Sequence, residues 1–245
     1  MRRLINKAAI DKVTYDSSHI SVLSYHTCQL KEEGTYIGYI IHKDTIIDDV
    51  KIIVSNNFES MQANIDFSTF DKEGIKKRGK QQFELAVNGC LLLFNKNKNI
   101  PFQFKLEKPG KTPRKGIIYD TKKLNKGDIY ACVLLRPGLY EIVHKNNVMG
   151  NILIEYPTRS TNRSLLNEPV RIQIHDKSLK SRTVKALPMQ GIVFEFETSG
   201  SVQVNLKEED KPEHRIYSEA KKLKKIKRKK PLNKKFSWKS PAYNN

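Results

Sequence analysis
Between residues 19 and 206 the chain is a succession of short apolar or alternating runs, nearly all separated by turn-forming residues. A period of two is the spacing of side chains on one face of a strand. Runs such as Ala63-Asn64-Ile65-Asp66-Phe67 and Pro101-Phe102-Gln103-Phe104-Lys105-Leu106 therefore predict half-buried strands. Further strands are predicted over 19–26, 35–41, 51–54, 83–87, 90–94, 170–174, 191–196 and 201–206. Asn88-Gly89 lies between two of them and predicts a tight hairpin. Lys43 to Asp49 reads as a turn or a short helix capped by Asp44. No apolar run keeps a helical period for more than about two turns. The expected class is all-β, built as a sandwich, with ten Phe and ten Tyr to anchor its core.

The block from Asp128 to Pro157 reads as two strands either side of a Pro137-Gly138 corner, then a short loop and a closing strand. Its Pro137-Gly138-Leu139-Tyr140 corner, the Leu124-Asn125-Lys126-Gly127-Asp128 turn and the Leu93-to-Phe104 run resemble the later part of a cupredoxin, the small copper-protein β-sandwich. The resemblance spans about residues 80 to 157 and implies a Greek-key sandwich. It implies no working copper site. A blue copper centre needs two His, one Cys thiolate and a weak axial Met. Phe102 stands where the resemblance puts the first His, and His144 stands where it puts the thiolate. Met149, before Gly150, matches the axial Met, and the second His has no counterpart. His144 and Met149 are the surviving donors, so no metal and no cofactor are expected, and a degenerate copper binder is kept as an alternative.

Charge is the other strong constraint. The 245 residues carry a net charge of +19. Residues 211–245 hold 13 Lys or Arg against Glu213 and Glu219, a net +11, leaving +8 for the rest. Like charges at this density oppose folding, so the segment is expected to be a disordered basic tail. The candidate nucleic-acid contacts are Lys221, Lys222, Lys224, Lys225, Lys227, Arg228, Lys229, Lys230, Lys234, Lys235 and Trp238. Lysines neutralise phosphates, and Phe236, Trp238 and Tyr243 supply rings for stacking on bases. Nucleic acid is the first expected partner and an anionic membrane surface the second; a merely solubilising tail is the bland alternative. The Gly74–Lys80, Lys111–Lys115 and Lys122-Lys123 stretches extend the positive surface as basic loops.

Several classes are disfavoured. The chain has no Gly-x-Gly-x-x-Gly and no Gly-x-Ser-x-Gly, and its carboxylate pairs fall in loop-like stretches where they are normally solvated, so it is read as non-catalytic. Cys28, Cys90 and Cys132 are odd in number and far apart, which reads as three buried thiols in a reducing compartment. No stretch approaches a membrane span and Met1-Arg2-Arg3 begins no signal sequence, so a cytoplasmic location is expected. The expected layout is an N-terminal β unit (1–70), a cupredoxin-like sandwich (71–157), C-terminal strands packing with the N-terminal unit (168–210) and the tail (211–245). The leading functional expectation is a binding or scaffold protein holding nucleic acid non-specifically. The rival is a structural or assembly protein with a protein partner or copies of itself.

Overall fold
The computed structural model describes residues 7–70, 81–96, 100–110, 116–156, 163–176, 179 and 182–210. Among them the protein is all-β, with a one-turn helix (Lys7–Ile10) and two 3₁₀ turns (Phe67–Thr69 and Arg163–Asn167). The first eight strands are β1 (Thr14–Asp16), β2 (Ser24–Gln29), β3 (Gly34–His42), β4 (Thr45–Val54), β5 (Gln62–Asp66), β6 (Gln81–Leu85), β7 (Cys90–Phe94) and β8 (Gln103–Glu107). The second eight are β9 (Ile117–Asp120), β10 (Ile129–Val133), β11 (Gly138–His144), β12 (Asn147–Ile154), β13 (Val170–Ile174), β14 (Thr183–Ala186), β15 (Gly191–Phe196) and β16 (Val202–Glu209). They form three sheets, ordered β1-β16-β11-β12-β14, β13-β15-β10-β2-β7-β5 and β6-β4-β3-β8-β9.

The second eight strands repeat the first. In one half β3 pairs antiparallel with β4 and β8, and β4 pairs parallel with β6. In the other, β11 pairs antiparallel with β12 and β16, and β12 pairs parallel with β14. In the central sheet, β7 joins β2 antiparallel and β5 parallel, as β15 joins β10 and β13. The first strand of each half is exchanged: β1 pairs with β16, and β9 pairs with β8.

Side chains repeat with the strands. Tyr15-Asp16-Ser17-Ser18 recurs 104 positions on as Tyr119-Asp120-Thr121-Lys122. In both, the Asp carboxylate accepts the backbone N–H two residues later, from Ser18 at 2.8 Å and from Lys122 at 2.9 Å. In both, the next hydroxyl accepts a backbone N–H of the last strand, Ser17 from Val202 and Thr121 from Phe104. Tyr36 donates its hydroxyl to the Glu32 carbonyl at 2.6 Å, and Tyr140 does the same to Arg136 at 2.9 Å. Lys43 and Asp44 have φ of 50° and 58°, and Lys145 and Asn146 have 47° and 63°. Two successive positive φ values mark the turn whose twist suits a tight hairpin.

The halves meet where β2 runs antiparallel to β10, with His26 opposite Tyr130 and Tyr25 opposite Ala131. Adding 104 to each member of β2 maps this pairing onto itself. A pseudo-two-fold axis therefore passes through the His26–Tyr130 pair, whose rings lie 5.0 Å apart. Buried faces of all three sheets contribute to one apolar cluster.

Three expectations change against this architecture. The predicted hairpin at Asn88-Gly89 does not form: β6 and β7 lie in different sheets, and Asn88, at φ 66°, turns the chain from one layer to the other. Of the two readings of Lys43 to Asp49, the turn holds at Lys43 and Asp44 and the helix capped by Asp44 does not, because β4 starts at Thr45. Only Cys28 and Cys132 are buried, while Cys90 is half-exposed on the central sheet, because alternation turns it outward when Leu91 and Leu93 turn in. The strands of residues 71–157 are spread over all three sheets, and those of 168–210 pair with β1, β10, β11 and β12.

Candidate functional site
Every candidate nucleic-acid contact, Lys221, Lys222, Lys224, Lys225, Lys227, Arg228, Lys229, Lys230, Lys234, Lys235 and Trp238, lies outside the described residues. So do the basic stretches Gly74–Lys80 and Lys111–Lys115, while Lys122 and Lys123 lie at the exposed turn after β9. The structure nevertheless changes how the charge is seen. The described residues carry 18 Lys or Arg against 22 Asp or Glu, and the remaining segments carry 27 against 4. The strand framework is thus slightly acidic, and the whole positive excess resides in the tail, the N-terminal segment and the connections between strands. Within the framework many cations are already paired, as in Lys122 with Asp44 at 2.6 Å and Lys185 with Glu155 at 2.9 Å. The stretch Gly74–Lys80 leads into Gln81, which opens strand β6. A phosphate loop needs a Ser or Thr there and a following helix.

The two residues named as candidate metal donors, His144 and Met149, are built into the fold. His144 ends β11 with 2 % of its surface exposed. Its Nδ1 is 2.8 Å from the Ser201 carbonyl, and its ring packs edge-on against Phe196. A Cβ on Gly200 would meet the imidazole at 2.6 Å, so Gly200 leaves the room that the ring fills. Met149 is a core residue of β12. Phe102 is buried between His42 and Phe67. Among the described residues no three His, Cys, Asp or Glu side chains gather as a metal site would require.

The most polar part of the interior lies at the pseudo-two-fold axis. His26 Nδ1 is 2.8 Å from the Tyr119 hydroxyl, which joins the central sheet to the exchanged strand β9. Burial pushes the imidazole down to about 3, opposed by the backbone carbonyl of His19. Burial pushes the Tyr119 and Tyr130 hydroxyls well above the ordinary tyrosine range. Lys12 reaches in from the segment before β1, donating to Ser21 Oγ at 2.6 Å and the Val22 carbonyl, with its ammonium 4.5 Å over the Tyr15 ring. Burial lowers its pKa to about 8. These groups fasten the exchanged first strands to the centre. Perturbed pKa values mark catalytic groups when they line a cleft; His26, Tyr119 and Tyr130 are wholly buried.

An open cleft of about 370 Å³ is lined by Asn64, Asp66, Thr69, Gln81, Gln82 and Phe83, from β5 and β6 and the turn between. Its carboxylate is engaged: Asp66 accepts from the Ser68 N–H and lies 3.4 Å from the Lys96 ammonium. No helix among the described residues is long and apolar enough to cross a membrane. The outward face of the central sheet is a second exposed feature. Its middle is formed by Val193, Ala131, Tyr25 and Phe94 in one row, with Ile129, Thr27 and Leu92 in the next.

No protein-family model, no curated protein and no solved structure matches this chain. The central polar cluster had a signal in the sequence, the recurrence of Tyr-Asp-Ser/Thr at 15 and 119. The outward face had none, because half-exposed apolar strand residues read the same as core ones.

Proposed function
We propose that the protein is a non-catalytic binding protein that holds nucleic acid through its phosphates, with residues 211–245 as the principal contact. The observation that carries this reading is the concentration of charge: residues 211–245 hold 13 Lys or Arg against Glu213 and Glu219, a net +11. Phosphate neutralisation releases condensed counterions and carries no base preference. The tail's charge exceeds the net +8 of the rest of the chain, which is why it is taken as the principal contact and the basic loops as secondary ones. The cupredoxin likeness enters this reading as a shared strand–corner–strand device. The same Gly-x-Tyr corner recurs at Gly34-Thr35-Tyr36, so it serves both halves of the chain rather than one metal loop.

The test is fluorescence anisotropy with a labelled 30-nucleotide strand, comparing the full chain with a chain ending at residue 215. If six to eight cations engage phosphates of a single strand, affinity falls roughly 300- to 2,500-fold between 50 and 200 mM salt. Truncation is expected to remove most of that slope. Equal affinity and equal slope for the two chains refute the assignment to the tail. Tail-dependent capture that survives high salt points instead to a protein partner.

A further inference from the structure
Antiparallel sheets with one face in solvent usually carry polar residues on that face. The central six-stranded sheet departs from this. Its inward residues, among them His26, Leu91, Leu93, Tyr130 and Phe194, are buried in the core. Its outward residues are only half-buried, and across the middle four strands they read Val193, Ala131, Tyr25, Phe94 and then Glu195, Ile129, Thr27, Leu92. Glu195 is the one charge among these eight, and it is paired with Arg171. The outward faces of the other two sheets are studded with charge, with Asp49, Lys51, Lys105 and Glu107 on one and Glu141 and Lys207 on the other. An apolar strip bounded by polar residues is the composition of an interface.

The ends of the strip differ in charge. In the first row Arg171 of β13 lies beside Val193, and Asp66 of β5 lies beside Phe94. The row therefore runs Arg171, Val193, Ala131, Tyr25, Phe94, Asp66 from one edge of the sheet to the other. Consider a second copy laid face to face by a two-fold axis parallel to the strands and midway between the sheets. That operation reverses the row. Arg171 then lies over Asp66 of the second copy, Val193 over its Phe94 and Ala131 over its Tyr25. At each end the Arg171–Glu195 pair of one copy then meets the Asp66–Lys96 pair of the other, so the four charges can join in one network once Lys96 moves off the Phe94 ring, and each ring meets a small or branched side chain. The alternative axis, across the strands, sets Arg171 against Arg171 and Phe94 against Phe94.

We propose that this face is a self-association surface and that its occupant is a second copy of the chain, docked sheet on sheet by the two-fold axis parallel to the strands. Six strands about 4.8 Å apart and five residues at about 3.3 Å each give a contact of roughly 25 by 16 Å, burying on the order of 1,000 Å² in total once side-chain relief is counted. That is the lower limit for a specific interface, so a reversible, concentration-dependent dimer is expected. The dimer does not depend on the nucleic-acid reading, since it invokes no residue of 211–245.

Sedimentation velocity on the full chain, after nuclease treatment and in 0.5 M salt, keeps nucleic-acid bridging out of the result. The expected result is a shift from monomer to dimer mass between about 1 and 200 μM. Thr27→Lys, at the middle of the face, is expected to weaken the dimer at least tenfold, whereas Ile37→Lys, on the outward face of the β6-β4-β3-β8-β9 sheet, leaves it unchanged. Circular dichroism of both variants checks that they fold. Should Thr27→Lys not fold, Ala131→Glu takes its place. A strict monomer at 200 μM overturns the proposal, as does a dimer indifferent to Thr27→Lys and Ala131→Glu. A monomer that floats with neutral phosphatidylcholine vesicles also overturns it, in favour of a lipid-facing surface.

Discussion

One side chain, His26, should make a measurable contribution to acid unfolding of this protein, beside carboxylates such as Asp16 and Asp66 that their hydrogen bonds hold below the usual range. His26 is fully buried, and burial holds it neutral down to about 3, against about 6.5 in an unfolded chain. The native state therefore refuses a proton that the unfolded chain accepts. Stability from this group is whole above pH 6.5 and is lost as pH falls from there towards 3. Integrated between pH 7 and pH 4, the loss is about 3 kcal/mol. That is a large share of the roughly 5–15 kcal/mol typical of a folded domain. Asp128 works in the opposite sense: burial raises its carboxyl to about 6, so the native state gains stability as pH falls from about 6 towards 3.8. Its side chain is partly exposed, so its effect is smaller. The perturbation is His26→Phe, which keeps a ring against Tyr130 but removes the titration and the bond to Tyr119. The assay is urea unfolding followed by far-ultraviolet circular dichroism at pH 7 and pH 4, at constant ionic strength. The variant is expected to be less stable at pH 7, by about 1–3 kcal/mol for the orphaned Tyr119 hydroxyl, and to lose much less on acidification than the parent. Parallel losses in the two proteins would refute the reasoning.

The internal repeat allows paired tests at equivalent positions. Gly138→Ala would press a methyl on the Glu208 backbone carbonyl at φ +150°, and it should cost at least about 3 kcal/mol or abolish folding; Gly34→Ala, at φ +142°, meets only the flexible end of Lys108 and should cost clearly less, as read by thermal melting. Tyr36→Phe and Tyr140→Phe each remove one hydroxyl-to-carbonyl bond of the same design and should each cost about 1 kcal/mol in urea unfolding. A neutral result at both tyrosines would show that the corner is held by packing alone.

The strand content was legible because alternation is a local property. A residue such as Phe104 or Ile65 declares its face through its two neighbours, and most predicted strands stand close to where the runs placed them. The failures arise where the partner of a strand decides its geometry. Asn88-Gly89 carries hairpin chemistry, yet β6 is drawn to β4 and β7 to β2, so the same residues serve a crossing between layers. β1, β9 and β14, at three or four residues each, are too short to show a period, and they exist because neighbouring strands offer them open edges. His144 looked like a ligand by its position in a corner-and-loop block. The packing of Phe196 and the gap left by Gly200 make it a core residue instead.

By itself the sequence determined that this chain is all-β and that its positive charge is concentrated towards residues 211–245. These follow from spacing, residue type and composition, which need no knowledge of what touches what. Only the tertiary structure decided that the described residues form two copies of one eight-strand unit that exchange their first strands around His26 and Tyr130. It also decided that the described residues are slightly acidic, and that Tyr25, Phe94 and Ala131 face outward together. The physical reason is common to all three. Pairing, burial and facing are relations between residues as much as 193 positions apart, such as Val13 and Leu206, and hydrogen bonding between strands, not local preference, selects them.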